Sequence, residues 1–126
     1  MSTDINGLAK SIAQWGLERN ITSKGGASPL SQMSKMLEEF AEWLVTYDNL
    51  QTVTEQNFEE RKACLDTWDE LDELQEQLKD DFGDMLVCLI QAMRLVDTDL
   101  HTCLAVAWEG IKDRKGKMIN GKFVKE

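Results

Sequence analysis

Proline occurs once in the 126 residues, at Pro29, and histidine once, at His101. Scarce proline leaves long stretches free to run as unbroken helix. With no nucleophile beside it in a readable arrangement, His101 is expected at the surface or at a helix start, not as a catalytic base. The three cysteines, Cys64, Cys88 and Cys103, contain no CxxC pair. Their odd number and helical settings argue against a disulfide framework or a zinc site and mark them as small buried apolar residues in a reducing compartment. Positive charge is scarce as well: 14 Lys and Arg stand against 23 Asp and Glu, a formal net charge of −9. A surface that grips a nucleic-acid polymer needs the opposite balance, although a divalent cation can invert the local field and let an acidic protein hold a nucleotide. The N-terminal "MSTDINGLAKSIAQWG" has no signal-like apolar run, and no stretch approaches the roughly 20 apolar residues that cross a bilayer. The expectation is a soluble, cytoplasmic protein with no membrane partner.

What is present is helical periodicity. Strand-type alternation is nearly absent, and 42% of residues are hydrophobic, enough for one core in one domain spanning 1–126. A first helix ends before the loop "TSKGGAS", and a second starts near Ser28 or Pro29 with a core stripe at Leu30, Met33, Leu37, Phe40, Ala41 and Leu44. A polar turn is expected around "YDNLQTVTEQN". A third stripe follows at Leu65, Trp68, Leu71, Leu74 and Leu78, a fourth at Phe82, Met85, Leu86, Leu89, Ile90, Met93 and Val96, and a short fifth at Leu100, Leu104, Ala107 and Ile111. The pattern predicts an all-α bundle of four or five helices with a basic, extended or looped tail over 112–126, whose Met118, Phe123 and Val124 can pack back.

Two acidic clusters interrupt this pattern. "KMLEEFAEWL" holds Glu38, Glu39 and Glu42, and "KDDFGDMLVCL" holds Asp80, Asp81 and Asp84. Carboxylates three residues apart on a helix share a face, so Glu39 with Glu42 and Asp81 with Asp84 can each point at one atom. A hard ion such as Mg²⁺ takes oxygen ligands of this kind and keeps waters that phosphate oxygens can displace. The competing reading is a solvated face, because Glu39 and Glu42 fall roughly opposite Leu37, Phe40 and Leu44. Met36 and Trp43 beside the glutamates, and Cys88 near the aspartates, put both clusters at an apolar edge. Like charges crowded there are unfavourable without a cation.

"EEFAE" followed by "DDFGD" at the head of an apolar helix resembles the EExxE and ExxD motifs of the MazG-like, all-α nucleoside triphosphate pyrophosphohydrolases. "IKDRKGKMINGKFVKE" resembles the basic C-terminal segment of the small single-domain bacterial and phage members. The resemblance runs from about Trp15 to the C-terminus. It implies a bundle of the all-α NTP pyrophosphatase type. It also implies Mg²⁺, with Mn²⁺ able to substitute, held by Glu39, Glu42, Asp81 and Asp84, with Glu38 and Asp80 as flanking acids that orient ligands or a water. Two departures stand out: Asp81 replaces the usual Glu, and the stretch between Glu42 and Asp81 is longer than in compact members.

The implied reaction converts a nucleoside triphosphate, a deoxynucleotide in particular, to the monophosphate and pyrophosphate. Cations are then needed for the phosphates. Lys35, one turn before the glutamates, and Arg114, Lys115 and Lys117 in the tail are the candidates, with Trp15 and Arg19 able to cover the base or reach a phosphate. The tail could equally be an ordinary solubilising terminus, and Trp15 a core residue. A homodimer or homotetramer is expected, since the stripes exceed what one copy can cover. The reading from a different class is a non-catalytic acidic helical bundle that binds a partner.

Overall fold

A computed structural model of the chain describes residues 4–23, 25–60 and 65–126, with side chains for all of these except 57–60 and 65–68. Cys64 lies outside the described residues, and so do the side chains of Leu65 and Trp68. Four helices follow in order, α1 (Ile5–Glu18), α2 (Pro29–Glu60), α3 (Leu65–Leu95) and α4 (Leu100–Ile111), then two strands, β1 (Gly116–Ile119) and β2 (Lys122–Lys125). The fold is mostly helical, with one small sheet. No helix among the described residues is long and apolar enough to cross a membrane.

The start of α2 follows the expected chemistry. Pro29 opens the helix where its missing N–H has no intrahelical partner to lose. Ser28 and Ser31 cap it reciprocally: the Ser31 backbone N–H donates to Ser28 Oγ at 3.0 Å and the Ser28 N–H to Ser31 Oγ at 2.9 Å. The expected turn at "YDNLQTVTEQN" does not form, and α2 runs through it. That stretch has no glycine or proline, and its hydroxyls find partners inside the helix. Thr52 Oγ1 donates to the Asp48 carbonyl at 3.0 Å and Thr54 Oγ1 to Leu50 at 2.7 Å, which lets threonine sit in a helix interior. The third and fourth stripes are likewise one helix, α3, because the residues between them, "KDDFGD", contain no breaker stronger than Gly83.

The long helices α2 and α3 form an antiparallel pair, with Trp43 against Phe82, their ring centroids 5.6 Å apart. The face of α2 turned toward α3 carries Met36, Glu39, Trp43, Thr46, Leu50 and Val53, of which Thr46 and Val53 are buried. The stripe assigned to the core is on another side: Leu30, Met33, Leu37, Phe40, Ala41 and Leu44 are all exposed, Leu37 at 60%. Periodicity identified an apolar face correctly but not what covers it.

The helix α1 packs on the second half of α3 and on α4. Gln91, 1% exposed, donates from Nε2 to the Ile12 carbonyl at 2.9 Å. Gly16 makes this approach possible, since a Cβ there would run into the Gln91 amide. Cys88, Ile90 and Ala92 complete a small core beside it. Cys88 is thus buried as expected, and Cys103 is half-buried. His101 is exposed, the second residue of α4.

The tail is a β-hairpin, not an extended or looped segment. β1 and β2 pair antiparallel with Met118 opposite Phe123. Asn120 (φ 52°) and Gly121 (φ 78°) form its turn, and Asn-Gly is the pair that best supplies two successive left-handed residues. Met118, Phe123 and Val124 do not pack back: every residue of both strands is exposed.

Candidate metal centre

On α3, Asp80, Asp81 and Asp84 each offer a carboxylate oxygen, and these oxygens lie within 4.8 Å of one another. Asp81 is 2% exposed. Gln77, one turn earlier, donates from Nε2 to Asp81 Oδ1 at 2.8 Å and fixes the carboxylate. Oδ2 is buried with no hydrogen-bond partner. A buried carboxylate oxygen without a donor is costly, because water is removed and nothing replaces it.

From α2, Lys35 Nζ sits 3.2 Å from Glu38 Oε2 and 3.4 Å from Glu39 Oε1. Bonding to Glu38 and then Glu39 raises the Lys35 ammonium above its ordinary range. Glu38 lies on the exposed rim, whereas the Glu39 side chain is only 13% exposed. The hydrogen bond with Glu39, then the Glu39 charge, raises the Glu42 carboxyl, and Asp81 across the helix pair adds to the effect. Asp84 is raised chiefly by burial, then by Asp80, Glu39 and Asp81. The carboxylates of α2 and α3 therefore act on one another across the interface. Burial, then the Glu39 charge, raises the Cys88 thiol, so it stays a neutral neighbour and not a thiolate ligand.

An aromatic ladder borders the site. Trp43 stacks on Tyr47 at 5.1 Å and on Phe40 at 6.0 Å between ring centroids. Its indole N–H is buried without a partner.

The structure thus sets Glu39, Asp81 and Asp84 where α2 meets α3, with Lys35, Glu38 and Glu42 exposed along the edge, and the oxygens that converge within 4.8 Å are those of the α3 aspartates alone. Asp80, assigned a flanking role from sequence, belongs to the tight trio of α3. Gln77 was missed, although a glutamine four residues before an acid is a readable helix pair. Trp15 and Arg19 stay at the end of α1 with the guanidinium 4.7 Å over the indole. Among the described residues no hydrogen bond, ion pair or ring contact ties them to the carboxylates. Arg114 Nη2 donates to the Gly110 carbonyl at 3.3 Å, and Lys115 and Lys117 are exposed at the hairpin.

A separate cleft of about 380 Å³ lies between α1, the end of α3 and the start of α4, lined by Lys10, Arg94 and His101 among others. Asp99 stands among these cations. Thr102 holds its carboxyl below the usual range, with smaller help from His101 and Lys10, so the cleft is not uniformly positive.

An all-oxygen donor set suits a hard divalent cation, not zinc or copper. No family model matches the chain, and no curated protein or solved structure matches it either.

Proposed function

We propose that the chain is an Mg²⁺-dependent nucleoside triphosphate pyrophosphohydrolase, acting foremost on deoxynucleotides and releasing the monophosphate and pyrophosphate. Asp81 is the observation that carries this reading: a carboxylate 2% exposed, with one oxygen fixed by Gln77 and the other unpartnered, beside two more aspartates. A divalent cation satisfies that oxygen and offsets the crowding of like charge.

Asp81 and Asp84 with Glu39 and Glu42 would hold the ion, and Asp80 is near enough to share it. When bound, Mg²⁺ neutralises phosphate oxygens and makes a coordinated water more acidic. The chain's own groups do the rest. Lys35 holds its ammonium at the rim of the acidic face, where an anionic phosphate can exchange for Glu38. Glu38 and Asp80, at the edge of the acidic face, would orient the water whose oxygen bonds to phosphorus as the anhydride oxygen departs with the leaving group. Trp43, half-buried on the face turned toward α3, keeps bulk water from one side. The tail cations and the Trp15–Arg19 pair remain outside this set.

The test is pyrophosphate release from a mixed dNTP pool with Mg²⁺, with Mn²⁺ and with EDTA, followed by a panel of common and modified NTPs. Metal-dependent release is expected; none across the whole panel would end the catalytic reading. The bare apolar stripe of α2 favours a second reading, a partner-binding bundle, which predicts capture of a folded partner and no metal-dependent release. On the catalytic reading the same stripe joins copies into a homodimer or homotetramer.

A further inference from the structure

The cleft between α1, the end of α3 and the start of α4 takes no part in the carboxylate site. To it α1 brings Asn6, Ala9, Lys10 and Ala13, steps of three and four residues that make one stripe of a helix. From α3 come Ile90 and, one turn later, Arg94, and from the first turn of α4 come Leu100 and His101. The lining has two zones. Its floor is apolar: Ile90 is 6% exposed, and Ala9, Ala13 and Leu100 are half-buried. Side chains as short as alanine on the α1 stripe leave about 380 Å³ open above it. The rim is cationic, with Lys10, Arg94 and His101 exposed around the opening.

These cations differ from others in the chain. Lys35, Lys79 and Lys112 each reach a glutamate three residues away on their own segment. Among the described residues the side chains of Lys10, Arg94 and His101 make no hydrogen bond and no ion pair. Asp99, which accepts from the Thr102 backbone N–H at 2.8 Å, offsets one charge. Two permanent cations, Lys10 and Arg94, then leave the cleft with one positive charge in excess. At physiological ionic strength charges beyond about 8 Å are screened, so this local excess governs what enters and not the balance of the whole chain.

One positive charge over an apolar floor defines its complement, a small organic monoanion. The Arg94 guanidinium offers parallel N–H donors that match both oxygens of a carboxylate. The unpaired backbone N–H groups at the start of α4 add a favourable potential. The volume lies at the small end of ligand cavities, roughly 300–1,000 Å³, and a nucleoside triphosphate carries more charge than the cleft balances.

We propose that this cleft binds a small carboxylic acid in its anionic form, the apolar body on Ile90, Ala9 and Ala13 and the carboxylate on Arg94 and Lys10. Contacts from three elements at once fasten α1 to α3 and α4. The proposal is independent of the metal centre and of the reaction assigned to it.

The test titrates isotopically labelled full-length protein with benzoate, phenylacetate and hexanoate while backbone amide NMR signals are followed. Saturable shifts centred on Ala9, Ala13, Ile90 and Leu100 are expected from at least one acid. The melting temperature should rise by a few degrees at about a hundred times the dissociation constant. Arg94→Gln, its helix content checked by circular dichroism, should weaken binding at least about tenfold, the scale of a lost charge-assisted hydrogen bond. Arg19→Gln, at the far end of α1, should bind as wild type does. Benzamide, which keeps the ring and lacks the charge, should give no shift, and inorganic phosphate should bind more weakly than the best acid. No saturable shift from any of the three acids, benzamide equal to benzoate, unimpaired binding in Arg94→Gln, or phosphate binding as tightly, which would mean an adventitious ion only, would each overturn the proposal.

Discussion

The two faces of α2 depart from the ordinary soluble helix in opposite directions. Toward α3 it turns Glu39, Met36, Trp43 and Thr46; outward it leaves Leu30, Leu37, Phe40 and Leu44 in water. An aliphatic side chain left exposed forgoes about 1.5–3 kcal/mol of burial, and a carboxylate turned inward gives up hydration. A lone, ligand-free bundle would gain by rotating the helix so that the two faces exchanged places. On the reading proposed above, that pattern serves two contacts at once, a cation inside and a protein surface outside.

The inner face offers the largest effect. Glu39→Gln, Glu42→Gln, Asp81→Asn and Asp84→Asn should each lower turnover at least about a hundredfold, the scale for losing a charge-stabilising group. The exposed Glu70→Gln should be nearly silent in the same pyrophosphate assay. Near-normal turnover in Asp84→Asn would detach the acids of α3 from chemistry.

For the outer face, Leu37→Asp combined with Leu44→Asp should weaken self-association by at least about a hundredfold, as two leucines lose their burial. Light scattering should then return a mass near 14.4 kDa at micromolar concentration. If wild type itself scatters as a monomer, the stripe is not covered by a second copy.

Thermal melts compare the faces without any substrate. Saturating Mg²⁺ at about a hundred times its dissociation constant adds about 2.7 kcal/mol to the folded state, a rise of a few degrees for a domain of this size. Metal-free Asp84→Asn should melt above metal-free wild type, because one repelling charge is gone, while its Mg²⁺ shift shrinks or vanishes. Equal shifts in both proteins would place the ion elsewhere.

The smallest effect belongs to α4, which has no buried residue and depends on its cap. Asp99 accepts from the Thr102 backbone N–H at 2.8 Å, which lowers its carboxyl below the ordinary 3.8. A lowered carboxyl contributes stability that is full above the unfolded value and disappears as pH falls through the folded one. Wild type should therefore melt above Asp99→Ala by a constant margin at neutral pH, with the margin closing as pH falls below 3.8. A margin unchanged in acid would mean that the cap does not act through its charge.

Helix content, the α2 start at Ser28–Pro29 and both acidic clusters were legible because each rests on local chemistry. Three features were not. The two expected breaks, near Tyr47–Asn57 and before Phe82, rested on polarity alone, and polar residues such as Gln, Glu and Lys propagate helices well. The hairpin was overlooked although Asn120-Gly121 between Ile119 and Phe123 carries its signal; the surrounding lysines hid the alternation. Which face of α2 turns inward was illegible for a deeper reason. Spacing shows that a helix has an apolar side, but a partner copy covers such a side as well as a neighbouring helix does.

The Gln91–Ile12 hydrogen bond joins residues 79 positions apart, and that separation orders the folding of the chain. Closing so long a loop is entropically expensive, and the expense grows with length, whereas α2 and α3 follow one another in the sequence. The α2–α3 hairpin should therefore assemble first, with α1 docking once the Gln91 turn of α3 exists to receive it. Contacts made late have little weight in the transition state, so Gln91→Ala should leave the refolding rate almost unchanged and speed unfolding. The first helix, held through its Ile12 carbonyl by the Gln91 amide of α3, is in this sense a latch: the last element to close in folding and the first to open.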